Sequence, residues 1–238
     1  MNNDYFYHDD FSYLDEKKFK FLRRELGKLQ DFYQKNGYTD FNGYRQITEF
    51  IIKDVYDKCI NNFSRYLYMR KNRFFKALKR LDNNNPATFD YLSALRLLKR
   101  LPTGRLFSVQ DRSGKWVNVI DELIEVRNIG NRYSHFNEYK FNEVKKKKDR
   151  VTMIYGLNLV CTYLNSFDYK LRRFKSYAGQ KEQAYRDGME ARRLNKEAGP
   201  NRGHGARVAK QPAATSAWSK GLQLFKSIFN TFFGKRKL

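Results

Sequence analysis

The chain has 238 residues, 41% hydrophobic and 16% aromatic, with 48 Lys and Arg against 25 Asp and Glu, a net charge of +23 at pH 7. That length suits one or two domains, and a charge this large favours a polyanionic partner, nucleic acid or an anionic membrane surface. Two isolated cysteines, Cys59 and Cys161, form no CxxC or metal spacing and read as buried, reduced thiols, which excludes a disulfide framework.

The first sixteen residues carry Asp4, Asp9, Asp10, Asp15 and Glu16, with neither the basic start nor the apolar stretch of a signal peptide. No apolar run approaches the roughly 18 residues that span a bilayer. A cytoplasmic location is expected.

Helical spacing begins in residues 12–35, with Phe19, Leu22, Leu26, Leu29 and Phe32 on one stripe. Asn36-Gly37 then closes the helix with a pair that tolerates the left-handed conformation. Residues 44–80 keep the period through Ile47, Ile51, Val55, Ile60, Phe63, Leu67, Phe74 and Leu78. Their length predicts two helices, or one bent helix, with a break between residues 61 and 72. Asn83-Asn84-Asn85-Pro86 is a turn, and Thr88 to Leu101 form a shorter helix stopped by Pro102 and Gly104. A connector, 105–115, contains a turn at Arg112-Ser113-Gly114-Lys115. The next helix is expected from Trp116 to His135, and the last long one over 149–175. The expected fold is all-α, a bundle of about five helices in residues 1–176.

Composition shifts beyond that point. Residues 171–238 hold 16 Lys and Arg against 4 acids, and 198–217 contain hardly any large apolar side chain. Such a stretch cannot bury enough surface to offset its ordering entropy. Residues 177–217 are therefore expected to be a basic, flexible linker, followed by an amphipathic segment, 218–238.

The chemistry concentrates in residues 116–135, WVNVIDELIEVRNIGNRYSH. At about 100° per residue, Ile120, Leu123, Ile124, Trp116 and Val117 share one apolar sector with Arg127, Asn131 and His135. The polar three are spaced i, i+4, i+8, so neighbours in the series can touch. Asp121, Glu125, Asn128 and Arg132 point elsewhere. A cation, an amide and an imidazole on an inward stripe must have internal partners or line a cleft, because burial without partners costs several kcal/mol. Gly130 permits close approach by another backbone or a substrate, against a helix cost of roughly 1 kcal/mol relative to alanine.

The run Arg127-Asn128-Ile129-Gly130-Asn131-Arg132-Tyr133-Ser134-His135 resembles the R-x-I-G-N-x-x-x-H motif of a branch of the HEPN superfamily, small helical domains of toxin–antitoxin, restriction and other defence systems. The match covers about a dozen residues within a helical region of compatible size. The resemblance implies a metal-independent ribonuclease, with no cofactor, that dimerises to bring two Arg/His sets into a shared cleft. It makes His135 the acid/base group on the ribose 2′-OH or the leaving 5′-oxygen, places Arg127 on the scissile phosphate, and has Asn131 orient phosphate or His135. The residue types suit these roles, since imidazole titrates near neutrality and guanidinium meets phosphate oxygens bidentately. The seven residues between Arg127 and His135 exceed the interval in the best-studied nucleases of the superfamily. A relative that binds or pairs without cutting, or a capping role for all three residues, stays open.

Arg132 and the run Lys145-Lys146-Lys147-Lys148, expected in a solvated loop, could guide an RNA backbone toward His135 or be an exposed charged turn. Tyr5-Phe6-Tyr7 could stack bases or pack on the domain. His8 and His204 lack partners at ligand spacing, so no metal site is expected. In the last segment Trp218, Leu222, Phe225, Phe229 and Phe232 line one helical face beside lysines. That pattern suits peripheral contact with anionic lipid at the inner face of the membrane, or docking against an antitoxin, another protein or the chain's own domain.

Overall fold

The computed structural model describes residues 10–83, 88–135 and 142–197. Asp15 opens the first helix by accepting from the Lys18 N–H at 3.0 Å, and α1 (Glu16–Asn36) closes on Gly37, whose φ of 73° is the left-handed value that the Asn36-Gly37 pair predicts. Asp40 caps α2 (Phe41–Phe63) through the Gly43 N–H at 2.8 Å. The long periodic region then breaks twice. A five-residue helix, α3 (Leu67–Lys71), is followed at once by Asn72, whose side chain accepts from Phe74 and Phe75 N–H and starts α4 (Arg73–Asp82). The expected break is therefore real, and it contains a helix of its own.

Asp90 caps α5 (Tyr91–Lys99). Beyond it two three-residue strands pair antiparallel, β1 (Ser108–Gln110) with β2 (Trp116–Asn118), Val109 facing Val117. The predicted turn closes this hairpin. Asp111 accepts from the Ser113 and Lys115 N–H groups, and Gly114 sits at φ 77°. Trp116 is thus in a strand, and α6 runs Val119–His135, three residues shorter than expected. The last helix, α7, runs Glu143–Glu197. The described residues hold seven helices and one hairpin, an all-α fold. The helix count exceeds five because residues 44–80 divide into three.

The chain forms two units, residues 1–191 and 192–238. In the second, the described residues 192–197 are helical, with Arg193 paired to Glu197 at 3.4 Å. In the first, α2 and α6 pack against each other, and α7 contributes Met153, Ile154, Leu157, Val160, Tyr163, Leu164 and Phe167 to the same buried cluster. Two polar groups tie elements of this core together. Tyr56 donates to the Leu78 carbonyl at 2.8 Å, tying α2 to α4. Asn158 accepts from Tyr13 at 2.6 Å, holding the segment before α1 onto α7. Cys59 and Cys161 are free and buried, as expected, and burial pushes both thiols up.

The sequence places a flexible linker from residue 177, but residues 177–197 are helical. Side-chain pairs at i, i+4, Glu182 with Arg186 at 2.6 Å and Gln183 with Asp187 at 2.8 Å, support α7 past the end of its apolar stripe. The rest of that linker and the amphipathic segment with Trp218, Leu222, Phe225, Phe229 and Phe232 lie outside the described residues. No helix among the described residues is long and apolar enough to cross a membrane.

Glu122 of α6 faces α7 at Gly156, where its Oε2 comes within 3.1 Å of the position a Cβ would take. Burial, and then the charges of Asp121 and Glu125, raise its pKa above the ordinary glutamate value. A carboxyl raised on folding stabilises fully below its unfolded pKa, and that contribution is lost as pH rises through the folded value. Glu122→Gln should therefore raise the melting temperature at pH 7–8 and leave it unchanged near pH 4. Equal shifts at both pH values would contradict the assignment.

Candidate functional site

The motif helix α6 is buried along Val119, Ile120, Leu123, Val126, Ile129 and Tyr133. Asp121, Glu125 and Asn128 are exposed, as the helical projection predicts. Arg127 and Asn131 are half-buried on the flank of the buried stripe rather than at its centre. The difference arises because Ile129 and Tyr133, apolar side chains on the far side of the projection, face the core. Tyr133 stacks on Phe41 of α2 with ring centroids 3.8 Å apart and planes 8° from parallel.

Gly130 explains how close α6 comes to α2. A Cβ there would lie 2.5 Å from Arg45 Cβ and 3.1 Å from the Phe41 carbonyl oxygen. Of the two expectations for this glycine, approach of another backbone is the one the fold uses. The contact also brings Arg45 and Glu49 of α2 alongside Arg127.

These three side chains form a shared ion pair. Glu49 Oε1 lies 3.0 Å from Arg45 Nη1 and 3.3 Å from Arg127 Nε. All three are substantially screened from solvent, with side-chain exposures of 16% for Glu49, 22% for Arg45 and 18% for Arg127. Arg127 Nε is buried without a hydrogen-bond partner, and the rest of its guanidinium makes no hydrogen bond among the described residues. Its carbon lies 5.9 Å from the Tyr91 ring at the start of α5. The adjacent Asp90 carboxyl is held below the usual carboxylate range by hydrogen bonds from the Ser93 side chain and from Ser93 and Leu92 N–H, with the Arg127 charge adding to them. Two guanidiniums therefore meet one carboxylate oxygen where α2 and α6 cross, with the start of α5 beside them. Among the described residues no donor of Arg127 is spent on the main chain.

Asn131 is one turn further along the same edge and makes no side-chain hydrogen bond among the described residues. His135 is the last residue of α6, and its side chain is outside the described part. The helix places the Arg127 and His135 Cα atoms about 12 Å apart along the axis. A single phosphate can be met from both ends only if the two side chains lean toward Asn131, or if a second copy supplies one of them.

The basic residues expected nearby divide differently. Arg132 lies 3.3 Å from Asp149 Oδ1, and Lys145 3.5 Å from Asp149 Oδ2, while Tyr133 donates to the same carboxylate at 3.0 Å. Asp149 is buried, and these partners compensate its charge. Lys146 pairs with Glu143 at 3.0 Å. The lysine run is not a loop. Asn142 accepts from the Lys145 N–H at 2.8 Å, so Lys145, Lys146, Lys147 and Lys148 form the opening turns of α7. Lys145, Lys147 and Lys148 are exposed, and Lys147 and Lys148 make no ion pair among the described residues. Sequence reading missed Glu49 and Arg45. The signal available was their i, i+4 spacing with opposite charge on a helix otherwise rich in buried residues.

Among the described residues no group of three or more His, Cys, Asp or Glu could hold a metal ion. Comparison with protein-family models, with curated proteins and with solved structures finds no match. The fold and this ion-paired edge together define an all-α protein with a guanidinium on the flank of its sixth helix.

Proposed function

We propose that this is an RNA-cleaving protein of the toxin or defence kind, acting without a metal through Arg127, Asn131 and His135, and working as a homodimer. The observation that carries the reading is the Arg127 guanidinium, held in place by Glu49 yet with its terminal nitrogens free of hydrogen bonds among the described residues. A guanidinium positioned by one carboxylate and open on its other edge is suited to a phosphate. In the reaction the ribose 2′-oxygen bonds to phosphorus as the P–O5′ bond breaks. The 2′-hydroxyl proton leaves, and one proton reaches the 5′-oxygen. His135 moves a proton in this exchange, Arg127 stabilises the charge on the phosphate oxygens, and Asn131 orients phosphate or imidazole. The axial separation of Arg127 and His135 favours a dimer, in which two copies of the edge meet over one strand.

A second reading is a non-catalytic interaction module with a basic tail that binds nucleic acid or an anionic membrane surface. The Glu49–Arg127 contact favours it, because the same ion pair braces α2 against α6 whether or not a ligand arrives. Incubation of total RNA with the full chain in EDTA separates the two. The first reading expects cleavage that Arg127→Ala reduces by about 100- to 1,000-fold, the scale of one lost charge-stabilising donor. Intact RNA with the wild type supports the second, and equal cutting by the variant takes Arg127 out of the reaction. Arg45 still pairs Glu49 in this variant, so its melting temperature should stay close to wild type.

A further inference from the structure

We infer that the cleft between α3 and α4 holds the phosphate groups of a single-stranded nucleic acid, at a place apart from the Arg127 edge. It rests on the reading above only for the class of polymer. From Cys59 to Leu81 the sequence carries seven cations and no carboxylate, a local balance far from that of the chain. In sequence these cations are dispersed among apolar residues. Four of them, Arg70, Lys76, Lys79 and Arg80, come together because Asn72 ends α3 and begins α4 in one step, its N–H bonding the Met69 carbonyl at 3.0 Å while its side chain caps the next helix. Met69 and Phe75 are buried and fix this corner to the core.

The result is an open cleft of about 460 Å³ lined by Arg70, Lys76, Lys79 and Arg80, with Ser64 and Phe75 at its base. Lys76, Lys79 and Arg80 are spaced i, i+3, i+4 and so share one face of α4. Their compensation is thin. Arg70 donates to the Ser64 carbonyl at the end of α2, and Lys79 pairs with Asp82 at 3.3 Å. Glu182 of α7, whose charge acts on Arg70, is itself held by Arg186 at 2.6 Å. Lys76 and Arg80 have no carboxylate partner among the described residues. Like charges gathered this way repel one another, and a row of phosphates relieves the repulsion while releasing counterions.

A strand suits the cleft better than a membrane does. Interfacial binding needs large apolar side chains that enter the lipid, and none of the exposed large hydrophobic residues lies between 59 and 82.

The test uses the full chain and a 20-nucleotide oligodeoxythymidine, which binds through its backbone and offers no 2′-hydroxyl to cut. Lys76→Ala/Lys79→Ala/Arg80→Ala should weaken binding about 50-fold at 0.15 M salt and lower the slope of log affinity against log salt by about 2, three single-strand contacts at about 0.7 each. Lys17→Ala/Lys20→Ala/Arg24→Ala on α1 removes the same charge and should change affinity far less. Alanine favours helix, and circular dichroism checks folding. Should the triple unfold, Lys76→Gln/Arg80→Gln should lower the slope by about 1.4. The inference is overturned if the wild type does not bind the strand, if the slope is unchanged with affinity within twofold, or if the control triple loses as much. Loss of binding to phosphatidylglycerol vesicles or polyglutamate with strand binding intact overturns it too. A wild type that binds the strand but leaves RNA whole removes the nuclease reading and leaves this site standing.

Discussion

His135→Ala should slow RNA cleavage by about 100- to 10,000-fold, the range that a positioned proton-transfer group supplies. An imidazole is the one side chain whose unperturbed pKa allows it both to accept and to release a proton near neutrality. His135 closes the helix that carries Arg127 and Asn131 at successive i+4 steps. The proposed reaction needs a guanidinium and an imidazole at one phosphodiester. The loss should fall on the rate at saturating RNA rather than on affinity, because one side chain adds little to the many cations that hold a polyanion. A variant that binds RNA poorly but cuts at the normal rate once saturated would assign His135 to binding. Single-turnover cleavage, measured beside filter binding on the same preparation, distinguishes these results.

Gly130→Val should have the largest effect on the fold. The new side chain begins at a point 2.5 Å from Arg45 Cβ and 3.1 Å from the Phe41 carbonyl oxygen. Neither can swing aside as a flexible tip would, since one is the root of a side chain and the other is backbone. The helices must separate, and overpacking of this kind costs about 2–3 kcal/mol. For a unit of this size the melting temperature should fall by about 4–12 °C. Separation also carries Arg127 away from Glu49 and unstacks Tyr133 from Phe41, so RNA cleavage should fall as well. Gly130→Ala is milder, because alanine recovers roughly 1 kcal/mol of helix propensity against the same contact. A valine variant melting with wild type would contradict the close crossing of α2 and α6.

Much of the helical order is legible in the sequence, and the reasons are local. The Asn36-Gly37 stop and the Arg112–Lys115 turn act within a few residues of themselves and occur as read. The errors are where local pattern and tertiary packing diverge. Trp116 and Val117 fall by coincidence on the apolar sector of the following helix, and strands of three residues are too short for an alternating pattern to show. The end of the apolar stripe near Phe174 suggests the end of α7. Yet α7 runs on past that stripe, with Ala178 and Glu182 still buried and i, i+4 pairs such as Glu182–Arg186 and Arg193–Glu197 along its surface.

The site was legible in its members on α6 but not in its setting. Arg127 and Asn131 share an edge as their spacing demands, whereas the depth of that edge depends on which of two apolar faces meets the core. Ile129 and Tyr133 won that place because Phe41 offers Tyr133 a stacking partner across Gly130. Glu49 is 78 positions from Arg127, and no spacing rule reaches that far. Arg70 likewise joins the Lys76, Lys79 and Arg80 face of α4 only when Asn72 folds the two helices together.

The central claim is that the Arg127 edge handles a phosphodiester whose own 2′-hydroxyl attacks it. The most direct measurement uses an RNA oligonucleotide with one mapped cut and its twin carrying a single 2′-deoxy residue on the 5′ side of that bond, both in EDTA. The account predicts cutting of the first to a 2′,3′-cyclic phosphate and a 5′-hydroxyl, with the twin intact at that position. Cutting of both strands there, or products ending in a 5′-phosphate, would contradict it.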